Sequence, residues 1–317
     1  MGLDPDVRRL LDTILVPRRP PFDAMSLRLG HQASIGLLGG SPPSVRTVDG
    51  FTVDPDSRWQ TPRLAVRRYR PDGEARRAIV WLHGGGWVVG TLDGFDGMAR
   101  ALANASGSQV FLVDYRLAPE APYPGAIADC CAAFHRIVQL APSFGVDPAR
   151  IVLGGDSAGG HLTITTARWL AAAGLPLPAA LLLLYPATDA RMQDDSYLRF
   201  ADGYHLTAAQ MAWFWARFAP QGTWRDGQPV TDAHPDLSPV LANDLGRLPQ
   251  SLVVTAEYDV LHDEGVAFRD ALVRAGVAAE HVDVPGMIHG FIRFRGAVRQ
   301  ADAVLGMMAG WLDRRRV

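Results

Sequence analysis

Two glycine-rich segments carry residues that could do chemistry together. His83-Gly84-Gly85-Gly86-Trp87 follows the apolar run Ile79 to Leu82, and Gly155-Asp156-Ser157-Ala158-Gly159 follows Ile151 to Leu153. The second segment fits G-x-S-x-G, a pattern that sets a serine on a tight strand-to-helix turn with its hydroxyl exposed. Gly155 and Gly159 answer to crowding, since positions two before and two after such a serine have no room for side chains. A helix beginning just after the serine points its positive end at the reacting oxygen. In the first segment, three consecutive glycines let backbone N–H groups face into a cavity, which is the requirement of an oxyanion hole. His83 is expected to support that loop as a hydrogen-bonded structural residue, together with Gly84. Either pattern alone is a weak signal, and a Gly-rich turn with an incidental serine is the bland alternative. As a pair they supply a nucleophile and a place for developing negative charge, which is what acyl transfer needs.

A serine nucleophile needs a base, and the base needs an orienting acid, in the chain order serine, acid, histidine. Asp259 lies just after the apolar run Leu252 to Thr255, in a loop at a strand's carboxyl end. Asp263 is the other acid there, at a helix start where an N-cap role is the commoner explanation. His289 follows the run His281 to Val284 and a Pro-Gly turn, in His289-Gly290-Phe291. His161 falls one turn into the helix after the serine, where packing against the sheet is expected. His262 sits inside the acid loop and His281 within a strand, while His31, His135, His205 and His234 have no motif around them.

Composition removes several other classes. The 31 basic residues are all arginine, so Schiff-base chemistry and P-loop phosphate binding have no lysine to use. Neither glycine segment carries the G-x-G-x-x-G register of a dinucleotide site. A net charge of −2 gives no electrostatic footprint for nucleic acid. Neither H-e-x-x-H nor paired cysteine ligands occur, so neither metal nor cofactor is expected. Cys130 and Cys131 are adjacent in a helical stretch and bridge poorly, which suits a reducing cytoplasm. The amino terminus shows no apolar signal segment and no run is long enough to span a bilayer, so a cytoplasmic, soluble protein is expected.

The elements that must position these groups read as short apolar strands alternating with helices. Strand-like runs occupy 50–53, 64–69, 78–82, 110–113, 151–153, 180–185, 252–255 and 281–284, with helical stretches at about 124–140, 158–173, 263–275 and 297–314. Continuously apolar strands imply burial on both faces, so an α/β fold is expected, with a mostly parallel central sheet covered by helices on both faces. Residues 1–45 read as a helical attachment, with Asp4-Pro5 starting a short amphipathic helix and a second, less regular one at about 22–38. Residues 187–235 interrupt the rhythm with no strand-like run, leaving 46–186 and 236–317 as core. In that insertion Met211, Phe214, Trp215 and Phe218 share a helical face and read as packing, whereas Trp213 points elsewhere and is a candidate substrate contact. Asp114, Arg116 and Glu120 read as charges that pair with one another within a structural loop.

The HGGGW and GDSAGG segments, with Asp114-Tyr115-Arg116-Leu117-Ala118-Pro119-Glu120 and Tyr123-Pro124 between them, resemble the hormone-sensitive-lipase-like esterases, the bacterial family IV group of α/β-hydrolases. The resemblance covers about residues 79 to 291. It implies an α/β-hydrolase fold with a helical cap built from the amino terminus and an insertion after the sixth core strand. It implies Ser157, Asp259 and His289 as the catalytic triad, because Asp259 matches the first Asp of the family's D-x-L-x-D-E segment and His289 its HGF histidine. It implies oxyanion donors at Gly85, Gly86 and Ala158. Trp87, directly after the three glycines, is with Trp213 a candidate substrate-pocket residue. The implied activity is hydrolysis of short- to medium-chain acyl esters, with an amide or formamide left open and an interfacial long-chain lipase as a rival. The plant gibberellin receptor resembles the same esterases without the histidine, and His289 speaks against that binding role here. The expected partners are a small-molecule ester and, as an open option, a second copy of the chain in a homodimer.

Overall fold

The computed structural model describes residues 2–15, 19–220, 224–225, 228–229 and 231–317. Apolar runs that exclude water from both faces make its strands: β1 (Thr47–Val53), β2 (Leu64–Arg70), β3 (Ala78–Leu82), β4 (Gln109–Asp114), β5 (Ile151–Asp156) and β6 (Leu181–Leu184) come first. A two-residue ladder of β7 (Trp224–Arg225) with β8 (Gln228–Pro229) follows, and then β9 (Ser251–Tyr258) and β10 (Ala279–Ile288). The main sheet runs β1-β2-β4-β3-β5-β6-β9-β10, antiparallel at the β1/β2 and β2/β4 pairings and parallel elsewhere. The expected strands are all present, several extended by one to a few residues because backbone pairing continues past the apolar run.

The helices are α1 (Pro5–Thr13), α2 (Ala24–Leu38), α3 (Asp96–Ser106), α4 (Gly125–Leu140), α5 (Ala158–Ala172), α6 (Ser196–Arg199), α7 (Ala208–Phe218), α8 (His262–Arg274) and α9 (Gln300–Arg314). Alternation along β3 sends its side chains to two separate cores. Val80 and Leu82 pack with Phe134 of α4, Leu162 of α5 and Phe268 of α8, whereas Ile79 and Trp81 pack with Leu102 of α3 and Trp311 of α9. Helices therefore cover both faces of the sheet.

Two expectations need correction. Helix α3 lies between β3 and β4, where the sequence reading has none; Gly94 and Gly97 punctuate the stretch, yet Met98 and Leu102 reach a core that only the sheet supplies. The inserted segment is not free of strand either, since β7 and β8 pair there, and the other residues of 221–230 lie outside the described residues. Asp4 caps α1 by accepting the Asp6 N–H at 2.8 Å, with Pro5 at the first helical position, as the sequence indicates.

Candidate active site

Every parallel strand of this sheet delivers its carboxyl end to one edge, where loops gather. The glycine loop leaves β3, Ser157 leaves β5, Asp259 leaves β9 and His289 leaves β10. Ser157 has φ 58° and ψ −122°, a left-handed conformation costly for a residue with a Cβ. The surroundings hold it there: the Ser157 N–H donates to the Leu184 carbonyl at 2.9 Å, and α5 begins at the next residue. A Cβ on Gly155 would overlap the Gly159 carbonyl, and one on Gly159 would overlap the carbonyl of Leu82, so both glycines are steric necessities of the turn.

The tertiary structure brings the three side chains together. His289 Nε2 lies 2.8 Å from Ser157 Oγ, and its Nδ1 lies 2.6 Å from Asp259 Oδ2. The other Asp259 oxygen accepts the Leu261 N–H at 3.0 Å, which fixes the carboxylate. Exposures of 7% for Ser157, 8% for His289 and 1% for Asp259 leave the hydroxyl reachable while the acid is sealed off. The Tyr185 ring packs 4.7 Å from the imidazole, centroid to centroid, and limits its tilt. Asp263 is elsewhere: inside the first turn of α8, it receives Arg199 at 2.7 Å and the Ser196 N–H at 3.0 Å and ties α6 to α8.

Gly84, Gly85 and Gly86 line the cleft over Ser157. Gly85 and Gly86 have φ of 125° and 58°, which only glycine adopts without strain, and a Cβ on Gly86 would enter the Phe214 ring. Ala158 is the first residue of α5, so its N–H belongs to the helix's set of terminal donors. Asp156, which the sequence reading passes over, joins the two motifs: its Oδ1 accepts the Gly84 N–H at 3.0 Å and Trp81 Nε1–H at 3.1 Å. Burial pushes its carboxyl up to about 6. Its position directly before the serine is the signal that was available in the sequence.

His83 Nδ1 lies 2.9 Å from the Gly84 carbonyl, and burial lowers its pKa to about 4. The Tyr115 hydroxyl donates to the His83 carbonyl at 2.6 Å, which locks the strand end above it.

The cleft over Ser157 has a volume of about 100 Å³. Leu206, Met211 and Phe214 close it from the inserted segment, so two residues of the face read as packing also wall the cleft. Trp87 does not line this cleft. Its ring is fully buried, stacked 4.7 Å from Phe218 and 4.2 Å from Trp215, because positive φ at Gly86 and Trp87 turns the side chain under α7. Trp213 is also absent from the lining; it packs edge-on against Phe22, at 6.1 Å, and under the Arg217 guanidinium.

His161 packs among the rings of Trp87, Trp215 and Phe218 instead of on the sheet, with Nε2 2.8 Å from the Asp236 carbonyl and Nδ1 accepting Trp87 Nε1–H at 3.3 Å. Burial lowers its pKa to about 4. The charges of the 114–120 loop do not pair with one another: Arg116 forks onto the buried Asp129 at 2.6 Å, and Glu120 holds Arg28 of α2 at 2.7 Å. Among the described residues, no group of three or more His, Cys, Asp or Glu is placed to hold a metal ion.

Comparison with known proteins gives a consistent result. Residues 79–293 match a family described by the alpha/beta hydrolase fold. The chain is 34% identical to an ethyl acetate hydrolase of Pseudomonas putida, covering 99% of each chain, and 35% identical to the carboxylesterase NlhH of Mycobacterium tuberculosis, covering 98% of this chain and 96% of the other. Among solved structures, a hyperthermophilic esterase from Pyrobaculum calidifontis aligns with a TM-score of 0.90 at 34% identity, covering 100% of this chain and 99% of that one. No helix among the described residues is long and apolar enough to cross a membrane.

Proposed function

Because the chain belongs to the α/β-hydrolase fold family, in its hormone-sensitive-lipase-like branch, we propose that it is a serine carboxylesterase that cleaves short- to medium-chain acyl esters through an acyl-enzyme. The observation that carries the reading is the continuous chain from Ser157 Oγ through His289 to Asp259, with links of 2.8 and 2.6 Å. The cleft of about 100 Å³ above the serine, and relatives named for ethyl acetate and carboxylic esters, support a small acyl group.

In this mechanism His289 Nε2 takes the Ser157 proton as Oγ attacks the ester carbonyl, while Asp259 keeps the proton on Nδ1 and balances the imidazolium. The tetrahedral oxyanion is met by the N–H groups of Gly85, Gly86 and Ala158, each worth about 10² to 10³ in rate in comparable enzymes. His289 then returns the proton to the leaving alcohol, and a water activated by the same imidazole releases the acid. Residues 1–45 and 187–235 act as the cap. Phe214 against Gly86 holds the oxyanion loop down and keeps water from the acyl group.

The test joins a fluorophosphonate label to turnover of p-nitrophenyl butyrate. Modification of Ser157 alone, identified by peptide mass spectrometry and accompanied by loss of turnover, is the expected result. Folded protein that neither takes the label nor hydrolyses the ester removes the reading and favours a binding role on the same scaffold.

A further inference from the structure

Helix α7 turns one face towards the space above Ser157. Gln210 and Phe214 stand one turn apart on that face, and both line the cleft over Ser157 together with a second, adjoining cavity of about 260 Å³. Val89, His205 and Arg293 complete the wall that the two cavities share. Whatever an ester carries beyond its scissile carbonyl therefore lies against this wall. Leu206 and Met211 on one side, and Leu27, Leu38 and Phe294 on the other, make the surroundings largely apolar, so each polar group at the boundary weighs on which substituent fits.

Three polar side chains belong to the shared wall, and two of them are engaged with the protein. Arg293 Nη2 donates to Ser34 Oγ of α2 at 3.2 Å, and the His205 ring packs edge-on against Phe294 at 5.5 Å. Gln210 differs. Its backbone N–H donates to Thr207 Oγ1 at 3.1 Å, the first half of a capping box at the start of α7. The second half would bring the Gln210 side-chain oxygen back to the Thr207 N–H, and that bond is not made. Among the described residues, the half-buried Gln210 amide has no hydrogen-bond partner. It therefore holds two N–H donors and an acceptor oxygen uncommitted at the boundary of the cavities. A hydroxyl, which donates and accepts through one atom, matches both; an alkyl group there leaves the amide desolvated and unpaired.

We propose that the ester this site takes carries a hydroxyl group close to its scissile carbonyl, and that the Gln210 amide receives that hydroxyl where the two cavities meet. The proposal rests on the esterase reading and makes Gln210 a residue that determines specificity. An ester of a short hydroxy acid has the required form, with a carbonyl for Ser157, a hydroxyl for the amide and an alkyl end for the apolar walls. A monoester of a short diol presents the same hydroxyl from the alcohol half.

The test measures kcat/KM by pH-stat for two pairs of esters in which a methyl replaces the hydroxyl. In the first pair, methyl beta-hydroxybutyrate is set against methyl isovalerate; in the second, ethylene glycol monobutyrate is set against propyl butyrate. Comparing wild type and variant on the same esters cancels their intrinsic reactivities. The ratio of the hydroxyl member to the methyl member is expected to fall by about three- to tenfold from wild type to Gln210→Met in at least one pair, and the pair concerned tells which half of the ester bears the hydroxyl. Part of the ratio is expected to be kept in Gln210→Glu, whose carboxylate still accepts from a hydroxyl. A fall smaller than about threefold in both pairs, or a ratio in Gln210→Glu no higher than in Gln210→Met, overturns the proposal and leaves the esterase reading intact. Hydrolysis of none of the four esters by folded wild-type protein overturns both.

Discussion

Asp156 Oδ1 accepts the Gly84 N–H at 3.0 Å, so the residue before Ser157 holds the glycine loop to which the proposed mechanism assigns the oxyanion. Two motifs far apart in the chain are thereby set in mutual register by one carboxyl group. Truncation in Asp156→Ala is expected to lower kcat by about 10- to 100-fold with little change in KM, because misplaced donors act on the transition state. Asp156→Asn keeps an acceptor for Gly84 and is expected to retain most of the rate. Equal losses in the two variants would mean that the charge, not the hydrogen bond, is what matters.

Ser157 occupies φ 58°, which makes the reactive turn a site of stored strain. Ser157→Ala is expected to abolish turnover, with a loss on the scale of the about 10⁶ known for the subtilisin serine. Ser157→Gly removes the strain as well as the hydroxyl, and its stability in urea is expected to exceed that of Ser157→Ala by about 1 kcal/mol. An alanine variant as stable as the glycine one would show that the turn is not strained.

Two of the three acids of the 258–264 segment, Asp259 and Asp263, touch different partners. Asp259 contacts His289, and its change to Asn is expected to cost about 10⁴ in kcat through the wrong imidazole tautomer. Asp263 contacts Arg199 and Ser196, so Asp263→Asn is expected to cost at most about 1 kcal/mol of stability and less than about tenfold in rate. Steady-state kinetics on both variants decides, and the reverse ranking would transfer the acid role to Asp263.

Acid stability is expected to depend on the buried imidazoles. His161 and His83 fall from an ordinary 6.5 to about 4 in the fold, chiefly through burial. A lowered histidine contributes stability that is complete above pH 6.5 and is lost as the pH falls towards 4, on the order of 3 kcal/mol for each residue. Asp156, raised from 3.8 to about 6, acts with the opposite sign, losing its contribution as the pH rises through that range. His161→Gln can still donate to the Asp236 carbonyl, and its urea-unfolding free energy is expected to decline less than the wild type's between pH 6.5 and 4. An unchanged slope would show that His161 stays neutral in neither state's favour.

Glycines differ sharply in what they tolerate. Gly159→Ala drives a methyl into the Leu82 carbonyl and is expected to cost several kcal/mol or prevent folding, whereas Gly36, inside α2 with open space where a Cβ would stand, is expected to gain up to about 1 kcal/mol as alanine. Thermal unfolding of the two variants checks the contrast, and a tolerated Gly159→Ala would mean that the turn relaxes easily.

Much of this protein was legible in one dimension. Strand and helix alternation follows from local apolar periodicity, and Ser157 and the glycine loop announce themselves because the turns that hold them demand glycine at set positions. The acid and the base were legible from their places after strand-like runs, with Asp263 set aside at a helix start, but only the meeting of the strand ends sets Asp259 and His289 against Ser157. Tertiary packing alone decided what walls the cleft over Ser157. Trp87 and Trp213 carry large rings next to or near the motifs, yet backbone direction buries one under α7 and sends the other to Phe22, while Met211 and Phe214 arrive from the distant inserted segment. It also chose the ionic partners, for Arg116 reaches Asp129 of α4 and Glu120 reaches Arg28 of α2. Short-range sterics and periodicity are written in neighbouring residues, whereas which side chains share a cavity depends on how whole elements pack, and that is a property of the folded chain.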